Sequence, residues 1–166
     1  MGIDIGRRFK MRQHLVALGD DYYVENDKGK KVCEVDGQAL SIRNTMVIKD
    51  SDGHERYKAQ EKKVAVRDTM HIYRGSHTVA KIHKALVNPI RDRFSIAITD
   101  GDDMTATGNV IDHEYTIKRG GSVVANVSKK WFSVRDSYGI NVETDDDPFL
   151  VIAIAVCLDA LAHPSN

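Results

Sequence analysis

With 166 residues, 42% of them hydrophobic and 29% charged, the chain has the size and composition of one domain with a sizeable core. Residues 1–166 are therefore read as a single domain. Lys plus Arg and Asp plus Glu stand at 24 each, so net charge exerts no bulk pull toward nucleic acid or anionic membrane, and only local patches remain. The opening MGIDIGRRFKMRQHL lacks an uninterrupted apolar core, and Gly6 stands where a myristoylation signal needs Ser or Thr; neither a secretory leader nor an acyl anchor is expected.

In chain order, Met1–Leu15 carries only faint helical marking. From there a strand, a polar turn and another strand recur. Asp21–Asn26 and Lys31–Asp36 flank Asp27-Lys28-Gly29-Lys30, and Asn44–Asp50 and His54–Glu61 flank Ser51-Asp52-Gly53. Thr69–Arg74 and His77–Ala85 flank Gly75-Ser76, and Asp92–Thr99 and Met104–Val110 flank Asp100-Gly101-Asp102-Asp103. His113–Arg119 and Ser122–Ser128 flank Gly120-Gly121, and Phe132–Asp136 and Gly139–Glu143 flank Ser137-Tyr138. Gly with Asp, Asn or Ser between β-branched runs signals a hairpin, because Gly and Asn accept the positive φ that tight turns require. Alternation agrees: Phe94, Ile96 and Ile98 share one face, with Arg93, Ser95 and Ala97 on the other.

One substantial helix follows, between Asp147 and His163. Asp145–Asp147 supply an N-cap and a favourable charge at the positive end of the helix dipole, Pro148 fits the first turn, and His163-Pro164 end it. Phe149–Leu158 (FLVIAIAVCL) is apolar at every position, so the helix has no polar face and must be buried all round or lie in a bilayer. A bilayer crossing takes about 20 apolar residues. This run is shorter and meets Asp159, so no transmembrane insertion is expected. About a dozen strands closed into a barrel would leave an interior too wide for their own side chains to fill, and closure removes sheet edges. The fold class expected is mainly β (α+β), a closed antiparallel barrel of twelve strands enclosing the helix at about 147–162. A two-sheet sandwich with the helix across one end is the alternative.

The hairpin succession ending in an acidic, then apolar, helix resembles the LURP-one-related family. The stretches that carry this resemblance are KMRQHLVALGDDYYVENDKGKKVCEVDG, KIHKALVNPIRDRFSIAI and DSYGINVETDDDPFLVIAIAVCLDAL. It runs from about residue 8 to residue 163. It implies a Tubby C-terminal-like barrel around a central helix, as also in the phospholipid scramblases. Tubby domains bind phosphoinositide headgroups through surface Lys and Arg, and scramblases carry a calcium-binding acidic segment before the terminal helix. The Tubby lipid-binding residues have no position-by-position counterpart here, so the transfer is one of fold, and fold does not imply function.

Four basic groups stand out: Arg7, Arg8, Lys10 and Arg12; Lys28, Lys30 and Lys31; Lys62, Lys63 and Arg67; and Lys81, Lys84, Arg91 and Arg93. A converging group would hold an anionic headgroup by charge-assisted hydrogen bonds. The fourth group, which brackets Asn88-Pro89, is the one assigned that role; a solvated strand face is the competing reading. Nucleic acid is disfavoured, since no aromatic residues interleave with these clusters. Glu143, Asp145, Asp146 and Asp147 offer hard oxygen ligands for calcium, the only cofactor considered, against the simpler role of capping the helix. His71, His77 and His83 fall on one hairpin, with His71 and His77 able to approach across Gly75-Ser76, but no further ligand completes a metal site. Cys33 and Cys157 read as buried reduced thiols, which points to a cytoplasmic setting. Trp131-Phe132 reads as an anchor in the barrel wall. No nucleophile turn or phosphate-binding Gly loop is present. The function expected is a non-enzymatic binding or scaffold domain for anionic phospholipid at a membrane surface. The alternatives are a protein-interaction domain without a lipid ligand, or calcium-dependent scramblase-like lipid handling.

Overall fold

Among the described residues, twelve strands, one α-helix and a single 3-10 turn (Lys129–Trp131) make up the fold. The computed structural model describes residues 6–12, 22–37, 45–64, 67–84, 92–131 and 137–162. The strands are β1 (Arg8–Arg12), β2 (Tyr22–Asn26), β3 (Lys31–Gly37), β4 (Thr45–Asp50), β5 (Glu55–Val64), β6 (Arg67–Arg74), β7 (His77–Lys84), β8 (Asp92–Ile98), β9 (Met104–Asn109), β10 (Glu114–Arg119), β11 (Ser122–Ser128) and β12 (Ser137–Val142). The helix α1 spans Pro148–Ala162. Each strand pairs antiparallel with its sequence neighbours, and β1 pairs with both β2 and β12, so the sheet closes on itself.

The closing strand is where the sequence reading fails. Arg8–Arg12 lies within the segment faintly marked as helix, yet it is a strand. Its apolar residues alternate at period two: Phe9 and Met11 are buried while Arg8 is exposed. Phe9 pairs with Ile140 of β12 and with Asn26 of β2. The proposed strand Phe132–Asp136 lies outside the described residues. Among the described residues the strands number twelve, with β1 as a member the sequence did not announce and with Ser137-Tyr138, expected as a turn, beginning β12.

Turn chemistry fixes the hairpins at the end where α1 begins. Asn26 Oδ1 accepts the backbone N–H of Lys28 and of Lys30, each at 3.0 Å, and the Gly29 N–H donates to the Asn26 carbonyl. Asp50 repeats the device between β4 and β5: Oδ1 accepts the N–H of Asp52 and of His54 at 3.0 Å, and the Gly53 N–H donates to its carbonyl. Gly29 and Gly53 occupy the same place in the two turns, at φ of +77° and +85°, where a side chain would be strained.

Inward-facing residues of all twelve strands meet α1 in one core. Ile152 through Leu158 are fully buried, so the helix has no exposed face along its middle. Burying a Val, Leu, Ile or Phe side chain stabilises by about 1.5–3 kcal/mol. Phe149, Val151, Ile152, Ile154, Val156 and Leu158 together then contribute on the order of 10 kcal/mol, comparable with the whole net stability of a domain. Among the described residues, no helix is long and apolar enough to cross a membrane.

Candidate functional site

Strand alternation decides which basic side chains share a surface. On β5, Tyr57 and Ala59 point into the core, which turns Lys58, Gln60 and Lys62 outward. On β6, Met70 and Ile72 are inward and Thr69, His71 and Tyr73 outward. On β7, Ala80 and Ile82 are inward and Lys81 and His83 outward. The register then places Gln60 opposite His71, and His71 opposite Lys81. Lys62 lies opposite Thr69 and hence diagonal to His71, and Lys58 lies on its other diagonal, opposite Tyr73. Lys58 Nζ sits 5.7 Å from the Tyr73 ring centroid.

The outward positions nearest His71, namely Lys58, Gln60, Lys62, Thr69, Tyr73, Lys81 and His83, include no carboxylate; the exposed Glu55 stands at the far end of β5, opposite Lys49. His71 registers the resulting field. Its pKa falls below the ordinary imidazole value, first through partial burial and then through the charges of Lys81 and Lys62.

The structure distributes the fourth basic group unevenly. Lys81 stands mid-strand on this outer face. Arg93 is exposed on the same face, but four residues along β8 from Ala97, the neighbour of Lys81, or about 13 Å away. Lys84 has the opposite parity and lies at the strand end with Nζ 6.0 Å from the Phe94 ring centroid. Arg91 lies outside the described residues. Lys81 thus gathers with Lys62 and Lys58, from another strand, rather than with its sequence neighbours.

The remaining basic groups scatter. Arg7 donates to the Thr144 carbonyl at 2.6 Å and reaches Asp145, Arg8 lies 5.5 Å from the Trp131 ring centroid, and Lys10 pairs with Glu25 at 2.8 Å. Lys31 sits over the Tyr23 ring at 4.6 Å.

Each acidic residue before α1 has a protein partner. Asp147 is the N-cap: Oδ1 accepts the Phe149 N–H at 3.0 Å, its carbonyl accepts the Leu150 N–H, and Oδ2 accepts the Tyr57 hydroxyl at 2.7 Å. Asp146 forms a two-pronged pair with Arg119 at 2.6 and 3.2 Å and also accepts from Thr144 Oγ1. Burial would raise the Asp146 pKa, but Arg119 and Thr144 outweigh it and hold the carboxyl below the usual range. Glu143 accepts from the side-chain amides of Asn126 and Asn141, and Asp145 faces Arg7 from a fully exposed position. Among the described residues, only Asp50, Asp52 and His54 bring three ligand-type atoms within 4.8 Å of one another. Asp50 there is held by Arg56 Nε at 3.1 Å and by the turn N–H groups, so it serves the turn.

His71 and His77 do not approach across the turn. His77 lies opposite Arg74 and, past a register shift between Ile72 and Tyr73, His71 lies opposite Lys81. Both cysteines are buried thiols, and burial pushes Cys33 up to about 12 and Cys157 higher still.

Two features escape a reading by sequence. His113, in the turn between β9 and β10, has its Nε2 2.8 Å from Asp159 Oδ1 in the last turn of α1, and each side chain is only 1% exposed. The His113 ring stacks on Tyr138 with centroids 4.0 Å apart. The pair ties the far end of the plug to the wall. The second feature is a groove of about 800 Å³ on the outside of β9–β11 with Trp131 at one end. The isolated Asp159 in an apolar run was the visible signal for the first; nothing in the sequence marks the second.

An antiparallel twelve-stranded barrel closed around an apolar C-terminal helix defines the class. Residues 7–159 match the family model described as LURP-one-related, and the chain belongs to that family. Among individual relatives, the Bacillus subtilis (strain 168) protein named "Uncharacterized protein YxjI" is 25% identical over 153 residues, 92% of each chain. The X-ray structure of a protein from Arabidopsis thaliana superposes with a TM-score of 0.65 at 12% identity, covering 95% of this chain and 93% of that one, a likeness of fold alone.

Proposed function

We propose that the protein is a non-enzymatic binding module that engages anionic phospholipid headgroups at a membrane surface through the outer face of β5–β8. The supporting observation is the convergence of Lys58, Lys62 and Lys81 around His71, with no carboxylate among the outward positions between them. Such a face attracts phosphate oxygens by charge-assisted hydrogen bonds and by a field that acts over about a Debye length, roughly 8–10 Å in physiological salt. Arg93 extends the cationic surface along β8.

Near an anionic leaflet each Lys or Arg contributes about 1 kcal/mol. The double change Lys62→Ala and Lys81→Ala is therefore expected to weaken binding to vesicles containing phosphatidylserine or a phosphoinositide by roughly 30-fold. Added salt should weaken it further. Sedimentation with these vesicles and with pure phosphatidylcholine measures both effects. Equal, negligible binding to all of them would refute the proposal.

A further inference from the structure

The groove on β9–β11 adjoins the β5–β8 face, with Thr107 opposite Arg93, but its lining is mostly uncharged. We infer that it is a binding site for an oligosaccharide. Its volume of about 800 Å³ falls within the range of small-molecule sites, roughly 300–1,000 Å³.

The register explains both its shape and its lining. Thr107, Thr116 and Asn126 lie side by side on three adjacent strands and form one polar row. Asn109 and Glu114 begin a second row two residues away, which Ser128 completes through its hydroxyl bond to Glu114 at 3.0 Å. Between the rows is Gly108, which has no side chain and sits opposite Tyr115. A Cβ at Gly108 would lie 2.7 Å from the Glu114 carbonyl oxygen, so the strands approach there as only Gly allows. A register shift between Ile117 and Lys118 re-aims the far end of β10. Trp131 closes the other end, with the Arg8 guanidinium over its ring.

The donors and acceptors select the ligand. Hydroxyl and amide side chains both donate and accept, as sugar hydroxyls do; Thr116 and Asn126, though bonded to each other and, through Asn126, to Glu143, keep acceptor capacity beside Thr107, and the indole face away from Arg8 offers a flat surface to the C–H face of a sugar ring. A single phosphate fits poorly. The cations around the groove are spread along its rim: Lys118 stands four residues, or about 13 Å, along β10 from Glu114, Lys130 lies beyond Ser128, Arg8 covers the Trp131 ring and Arg93 lies opposite Thr107. The Glu114 carboxylate, which accepts from Ser128 Oγ and the Lys129 N–H, lies between the two lysines. An extended peptide cannot add as a strand, because β9, β10 and β11 are each hydrogen-bonded on both sides. The distance between the ends suits a ligand of several rings rather than one.

Trp131 is the only tryptophan of the chain, so its emission reports on this groove alone. Titration of the full-length protein with cellotetraose, chitotetraose and maltotetraose is expected to give a saturable change with at least one of them. The Kd should rise at least about tenfold in the double variant Thr107→Val and Lys118→Met, and should not change in Lys81→Ala. Amide chemical-shift mapping on the unaltered protein should centre on Thr107, Thr116 and Asn126, which keeps the test independent of whether the double variant folds. The inference is overturned by any of four results: no saturable response to any tetrasaccharide up to about 10 mM, an unchanged Kd in a folded double variant, shifts centred elsewhere, or a response to inositol hexakisphosphate or inorganic phosphate alone.

Discussion

Removing one member of the buried His113–Asp159 pair tests how the plug is held. Both side chains are 1% exposed and 2.8 Å apart, and they join the last turn of α1 to the β9–β10 turn. The single changes His113→Ala and Asp159→Ala each take away one partner while leaving the other's polar group in a site with little access to water. Breaking a buried pair in this way costs about 3–5 kcal/mol. In a chain of this length each kcal/mol lowers Tm by about 2–4 °C, so each single variant should melt roughly 6–20 °C lower. The double variant leaves neither polar group behind. It should therefore be more stable than the sum of the single losses by at least about 1 kcal/mol, the signature of a directly coupled pair. Urea unfolding of the four proteins followed by circular dichroism gives the cycle. Single losses under about 1 kcal/mol that simply add would refute the view that this contact anchors the helix.

Four further outcomes follow from the structure. Ile152→Asp or Ile154→Asp places a carboxyl at a fully buried position and should yield no soluble folded protein; native-like behaviour on gel filtration and circular dichroism would contradict the buried helix. Asp50 and Asp146 both have folded-state pKa values below their unfolded ones, because the turn N–H groups and Arg56 (for Asp50) and Arg119 (for Asp146) outweigh burial. Their stabilisation is present above the unfolded carboxylate pKa of about 3.9 and is lost as pH falls through the depressed values, so the stability deficit of Asp146→Asn should shrink as unfolding is measured from pH 7 toward pH 2. Gly108→Ala should destabilise by about 1–3 kcal/mol, because φ is +133° and the new Cβ meets the Glu114 carbonyl; chemical denaturation measures it. Cys33 and Cys157 should resist a thiol reagent at pH 8 in the native state and react fully in denaturant, since burial raises both thiols.

Neighbours along the chain and neighbours on the outer face of β5–β8 are different residues. Lys81 was visible as a candidate because it lies in a run of basic residues. Its real companions, Lys58 and Lys62, are about twenty residues away, and only the pairing of β5, β6 and β7 brings them together. The two-residue Gly75-Ser76 turn sets His77 opposite Arg74, and the shift between Ile72 and Tyr73 places Lys81, rather than Ala80, opposite His71. β1 was missed for a related reason: a five-residue strand carries too few alternations to stand out among its basic neighbours, and its partner lies at the opposite end of the chain.

What the sequence determined by itself is the architecture. Hairpin turns at regular spacing point to an antiparallel meander and the all-apolar Phe149–Leu158 to an enclosed helix, which favours a barrel over a two-sheet sandwich; closure itself rests on β1 pairing with β12 and β2. Asp147 as N-cap was equally legible, because a helix start is a local matter. The tertiary structure alone decided which side chains meet. Arg119 with Asp146, His113 with Asp159, and the row of Thr107, Thr116 and Asn126 depend on register and bulges, which shift a contact by a residue without leaving a mark in composition. Local patterns carry the fold because periodicity is local. Surfaces are non-local, and they appear only when the sheet is closed.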